Sequence, residues 1–325
     1  MATFTVTTLQ DFVGADGQRS LREAVNSANA SPDADTIVFA PALEGQTLTL
    51  TQGELVLNQD VTIDGDADNN GSRVTLSGGW SGDFGDKTAS RILYLTGSAT
   101  DVALSDITLT HGYAGLAGGG LGGGVLLGSG SLTLTRSIVS DSAANTSGGG
   151  IYAASGTSLA VVDSAITHNT MFDGAGAGIF LRGHNVLRIE GSSLTENDAG
   201  RGNVGAIFFQ DGVADISHSN ISHNSSGNAV GGISAGDGLF RIDSSTIANN
   251  YGKFAPGGIA YGSEIELRNS TITGNYGGGI SSGHVNIFNS IVAGNPVYDI
   301  AFIAYSNGHN IFGTEVADAV AGDRQ

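Results

Sequence analysis

Seven stretches of this chain restate one short sentence. "DSAITHN" (163–169), "GSSLTEN" (191–197), "SHSNISHN" (217–224), "SSTIANN" (244–250) and "NSTITGN" (269–275) are its clearest forms. Aligned on the last residue, the copies are anchored at Ser142, Asn169, Asn197, Asn224, Asn250, Asn275 and Asn295, at spacings of 27, 28, 27, 26, 25 and 20. A repeat of this length marks a solenoid. Ser stands five residues before every anchor, from Ser137 to Ser290. A branched aliphatic stands three before it, from Val139 to Val292. An alternating segment precedes each sentence ("VLRIE", 186–190; "LFRID", 239–243), and a Gly-Gly-Ile element follows most of them ("VGGISA", 230–235; "PGGIAY", 256–261).

Each copy therefore holds about three short, β-branched segments and no helical period. One copy cannot bury its apolar face alone, but stacked copies can. The expected fold is all-β: a right-handed, single-stranded parallel β-helix, one copy per coil. In that geometry every alignment column becomes a ladder. Aliphatics fill the core, while Asn amides and Ser hydroxyls satisfy the corners. Length varies chiefly between the Asn and the Gly-Gly-Ile element, from "TMFDGAGA" (170–177) down to "YGG" (276–278). One corner thus carries loops that shorten toward the C-terminus, and such loops usually form a solenoid's functional face.

Composition narrows the partners. The 52 glycines come with only 4 prolines, which fits tight repeated turns better than disorder. Net charge is −18, and Lys87 and Lys253 are the only lysines, so nucleic acid is not an expected partner. There is no Cys, hence no disulfide framework and no thiolate chemistry. No apolar run suits membrane insertion. "MATFTVTTLQDF" is not a secretory signal peptide, so export would use a signal outside this sequence.

Residues 1–62 read as an N-terminal cap with the first strands, 63–313 as the coils, and 314–325 as a C-terminal tail, either a truncation point of a longer protein or a disordered end. "SLREAVNSANA" (20–30) predicts a short helix with a Ser20/Glu23 capping box and Leu21, Val25 and Ala28 facing inward. "SLREAVNSANASPDADTIVFA" (20–40) resembles the segment that opens many large, acidic, surface or secreted bacterial β-helix proteins. "NSIVAGN…NGHNIFG" (289–313) is similar to their closing coil. The resemblance implies an extracellular or surface location, an adhesin-like role and further domains. Where those proteins carry Cys before the Ser, this chain has Arg19.

Three groups of residues are candidates for function. The column before the Asn ladder reads His111, Asp141, His168, Glu196, His223, Asn249, Gly274, Gly294. His168, Glu196 and His223 would stack outward at successive coils, where a carboxylate between imidazoles tunes a general base; a solvated polar ladder is the plainer reading. Arg201 and Lys253, on the loop side, would neutralise a substrate carboxylate. A second outward column, Tyr152, Phe180 and Phe208, suggests a platform for sugar rings, flanked by Arg182 and Gln210. In "DGDADNNG" (64–71), Asp64, Asp66 and Asp68 alternate like the start of a calcium loop, and calcium is the one cofactor suggested. Asn69 and Thr75 then break the EF-hand pattern. "GGWSGDFGDKT" (78–88) carries the only Trp on a long loop and reads as a lid or partner contact.

No nucleophile elbow or phosphate loop appears. Two expectations follow: a secreted or surface module binding polysaccharide or cell-surface glycans, or a polysaccharide lyase or epimerase acting on uronic acids. Of the enzymes, these stand ahead of a glycoside hydrolase.

Overall fold

One coil shows how the sequence makes the structure. In the computed structural model, Ser131–Thr135 alternates with Leu132 and Leu134 buried. Arg136 turns the chain with φ 47°, and Ile138–Ser140 follows with Val139 buried. Asp141 turns it again with φ 50°. A loop then leads to Ile151–Ala153, and a short turn returns to Ser158–Val162, which pairs in parallel with Ser131–Thr135. Repetition gives three parallel sheets, here A, B and C, of 12, 11 and 9 strands among the described residues. Those residues are 1–97, 100–262, 264–302, 304–313 and 322–324. The fold is the expected all-β parallel solenoid.

Register turns the sequence columns into physical stacks. Val139, Ile166, Leu194, Ile221, Ile247, Ile272 and Val292 are successive partners across sheet B. All are buried within one apolar core that runs from Val6 to Phe312. Burying such a side chain contributes roughly 1.5–3 kcal/mol, so the stack, rather than any single coil, carries stability.

A strand and a helix lie at the N-terminal end. Thr3–Val6 pairs with Asp35–Phe39, and the helix Leu21–Asn29 buries Leu21, Ala24, Val25 and Ala28. Ser20 accepts from the Glu23 N–H at 3.1 Å, and Glu23 accepts from the Ser20 N–H at 2.9 Å. Residues 35–57 already make one strand in each sheet, so a complete coil lies within the segment that did not show the repeat. Among the described residues, no helix is long and apolar enough to cross a membrane. Most of the expected tail, 314–321 and 325, lies outside the described residues. Arg324 pairs with Asn310 and Phe312, continuing the last coil.

Candidate functional site

Each coil has two left-handed corners, and they explain the polar columns. The residue before the Ser ladder has positive φ at Asp106, Arg136, Asp163, Gly191, His218, Ser244, Asn269 and Asn289. The residue before the Asn ladder does so at His111, Asp141, His168, Glu196, His223, Asn249, Gly274 and Gly294. Gly accepts this conformation freely, and Asn, Asp and His are enriched in it. The mixture of His, Asp, Asn and Gly is therefore a backbone requirement first. Behind it, each ladder Asn is buried and bonded. Asn224 Nδ2 donates to Leu194 O at 2.9 Å and to Asn250 Oδ1 at 3.0 Å. Its own Oδ1 accepts from the Asn197 backbone N–H and Nδ2, at 3.0 and 2.9 Å.

The structure brings together part of the expected acid–base group. His168 Nε2 lies 2.5 Å from a Glu196 carboxylate oxygen, and its Nδ1 lies 2.9 Å from the Thr167 hydroxyl. Both side chains are about half exposed, at 53% and 55%. His223 is exposed one coil beyond and makes no ion pair with Glu196 among the described residues. Arg201 and Lys253 are exposed on loops two coils apart, and neither pairs with Glu196. Glu196 is the member of this column whose type is not favoured at positive φ, so its presence there is the geometric point in favour of a task.

The aromatic column points outward from sheet C but is not an open platform. Tyr152, Phe180 and Phe208 are register partners, with ring centroids 5.1 and 4.7 Å apart and planes within 10°. Rings stacked along the axis cover each other's faces and show a ligand mainly edges. Tyr152 is only 5% exposed, and Phe180 and Phe208 pack against the loop residues Val204 and Val230. This corrects the expectation of an exposed strip: the loops fold down and cover it. Arg182 and Gln210 beside it are exposed. The same register extends the column to Val56, Tyr94 and Leu126, which the repeat did not reveal because loop lengths differ there.

The acidic loop regroups as well. Asp66 and Asp68 converge with Glu44, not with Asp64, their ligand oxygens lying within 4.8 Å of one another. Asp64 instead accepts the Asp66 N–H at 3.2 Å. The buried Asp66 carboxylate accepts from the Asn70 and Gly71 N–H groups at 2.9 and 2.8 Å, and so orders the turn. Glu44 is pushed above the usual carboxylate range by desolvation, against the lowering effect of Asn70, with Asp68 and Asp66 adding to the rise.

The connections from sheet B to sheet C form one flank of the solenoid. It carries the exposed Leu116, Phe172, Tyr251, Phe254 and Tyr276. It also carries Lys87, Arg201 and Lys253, none of which forms an ion pair among the described residues. By contrast, the sheet A cations are matched: Arg188 with Glu190, Arg241 with Asp215 and Glu266, and Arg268 with Glu266. Near the N-terminal end of the flank, Trp80, Phe84, Tyr113 and Phe172 form an aromatic cluster beside a groove of about 720 Å³.

A solved structure similar to this chain is a pectate lyase, Pel9A. The likeness covers 99% of this chain and 79% of that one, with a TM-score of 0.55 and 16% identity. At that identity it establishes the fold, a parallel β-helix of the polysaccharide-lyase kind, and assigns no residue a role. No protein-family model matches the chain, nor does any curated protein.

Proposed function

We propose that this protein is an extracellular or surface β-helix module that binds acidic polysaccharide along its B-to-C loop flank. The observation that carries this reading is a set of cations without ion pairs on the loop flank, Lys253 lying over the Phe254 ring. In a chain of net charge −18, the sheet A cations are paired with carboxylates, while Lys87, Arg201 and Lys253 make no ion pair among the described residues and stand among exposed aromatics on the loops. Unpaired cations beside apolar rings suit a ligand with carboxylates and C–H faces. Arg201 and Lys253 stand two coils apart along the solenoid axis, with Lys87 further toward its N-terminal end, and a row of this kind suits an extended polymer. The likeness to a pectate lyase supports a polysaccharide as the ligand class.

Affinity electrophoresis in gels containing polyuronates, with neutral polymers as controls, tests the reading. Retardation by polyuronate that is lost in an Arg201→Ala/Lys253→Ala double variant is expected. Equal retardation by neutral polymers, or none, would sink it.

A second reading, elimination or epimerisation on uronic acids, draws on the His168–Glu196 contact. His168 would act as base and Glu196 would orient it. Ultraviolet absorbance of unsaturated products, with NMR for epimers, decides this. Absence of both products across uronic polymers removes the enzyme reading and leaves the binding module.

A further inference from the structure

A second groove, of about 630 Å³, follows the corner between sheets A and B, away from the loop flank. The Ser ladder from Ser137 to Ser219 lies in its lining. Successive coils stand roughly 4.8 Å apart, so a groove lined from Ser137 to Thr246 is about 19 Å long.

Arg73 also lines this groove. Val74 pairs with Ile107, so Arg73 stands in the corner column that continues through Asp106, Arg136, Asp163, Gly191, His218 and Ser244. It is half-buried, and it makes no hydrogen bond, ion pair or ring contact among the described residues. Asp106 is the acid next to it in the column, but Arg136 takes both of that carboxylate's oxygens, with Nε at 2.9 Å and Nη2 at 2.5 Å. Asp163 is the one carboxylate in the lining. It leans over Gly191, where an added Cβ would come within 2.4 Å of its Oδ1. It sits in the field of Arg136, whose pKa is raised first by its bond to Asp106, with Asp163 adding to the rise.

A half-buried guanidinium has lost part of its water and still presents a fork of N–H donors. That fork matches a planar carboxylate in two parallel bonds. Further along, the Ser193 and Thr246 hydroxyls line the groove and make no side-chain hydrogen bond among the described residues. Asn220 gives its Nδ2 to Ser222 Oγ at 2.9 Å, which leaves its carbonyl oxygen for a donor. These polar groups recur once per coil. The repeat is close to the length of one glycosyl unit and well above the roughly 3.3 Å rise of a peptide strand.

We propose that this corner groove binds an oligosaccharide that is neutral except for one terminal uronic acid, whose carboxylate is held by Arg73. The inference shares the glycan class with the flank reading, but not its site. A polyuronate carries a carboxylate on every unit and would set one against Asp163, so it belongs to the flank.

Isothermal titration of the full chain tests this. The ligands are neutral xylo- and gluco-oligosaccharides ending in a single uronic acid, their carboxyl-reduced counterparts, and oligouronates. Saturable 1:1 binding of an acid-ended series is expected. Carboxyl reduction and Arg73→Ala should each weaken it about tenfold or more, since a bond to a charged group is lost. Arg73→Ala should leave Tm unchanged, because the free protein loses no partner. Ser193 is a half-exposed strand residue in the lining, so Ser193→Tyr should fill the groove and abolish binding. No saturable binding of either acid-ended series, equal affinity for the reduced ligands, or parent-like affinity in Arg73→Ala would overturn the proposal. The Arg201→Ala/Lys253→Ala variant should bind the acid-ended ligand as the parent does. That result without polyuronate retardation in the parent would refute the flank reading and spare the groove; retardation without acid-ended binding would do the reverse.

Discussion

Asn295 donates both its backbone N–H and its side-chain amide to one oxygen of Asp299, at 2.9 and 2.8 Å. Each ladder Asn from Asn169 to Asn275 makes the same two bonds to the Asn of the next coil. The column therefore needs a final acceptor, and a carboxylate, which offers only acceptors, ends it. The Ser ladder ends alike, with the Asn310 N–H donating to Asp323 at 2.9 Å.

Asp299→Ala would leave two buried donors of Asn295 unpaired. A cost of about 2–4 kcal/mol is expected, with Asp299→Asn milder because its oxygen can take the same place. Urea unfolding measures the cost. Amide exchange should show Asn295 losing protection before the mid-ladder Asn224. Equal protection in Asp299→Ala and the parent would refute the capping role.

The left-handed corners make a contrary prediction. If the His column serves the backbone alone, His223→Gly and Glu196→Asn should leave Tm unchanged or raise it, whereas His168→Val should cost roughly 1–3 kcal/mol through strain at positive φ. Thermal unfolding of the three variants checks this. A marked drop in Glu196→Asn would show that the His168 contact does more than decorate a corner.

The fold was legible because solenoid columns repeat in register. The Ser column from Ser137 to Ser290 and the Asn column from Asn169 to Asn295 announce the coils through residue order alone. Earlier coils were hidden, since Gly112 takes the ladder position and donates to Ser142 Oγ, and the loops over 78–92 and 111–124 break the period. The candidate sites were harder to read. Alternation correctly turned Tyr152 outward, but no local pattern says that loop residues such as Val204 fold over that face. That Arg73 has no partner is invisible in sequence, because it depends on Arg136 taking Asp106.

Acid should loosen the N-terminal cap. The Asp11 carboxylate is held below its usual pKa of 3.8. Burial alone would raise it, but the Arg22 hydrogen bonds and the Gln52 and Thr51 N–H groups outweigh that. A depressed folded pKa means that this stabilisation is present above 3.8 and is lost as pH falls through the lower, folded value. Tm should therefore drop in strong acid, and Asp11→Asn should show a lower Tm at neutral pH with a shallower acid decline. A parallel decline in both proteins would place the acid sensitivity elsewhere.

The flank cations predict a salt signature. Arg201 and Lys253 are exposed, so each contact with a polyuronate carboxylate is worth about 0.5–1 kcal/mol and is screened as ionic strength rises. Losing both should weaken binding by roughly 5- to 30-fold at low salt. The gap between parent and double variant should shrink as salt is raised toward about 1 M, where the screening length falls to about 3 Å. Isothermal titration of the parent and the double variant with oligouronates at several salt concentrations measures this gap. A salt-independent gap for Arg201 and Lys253 would mean that their side chains shape the loops rather than meet the ligand's charge.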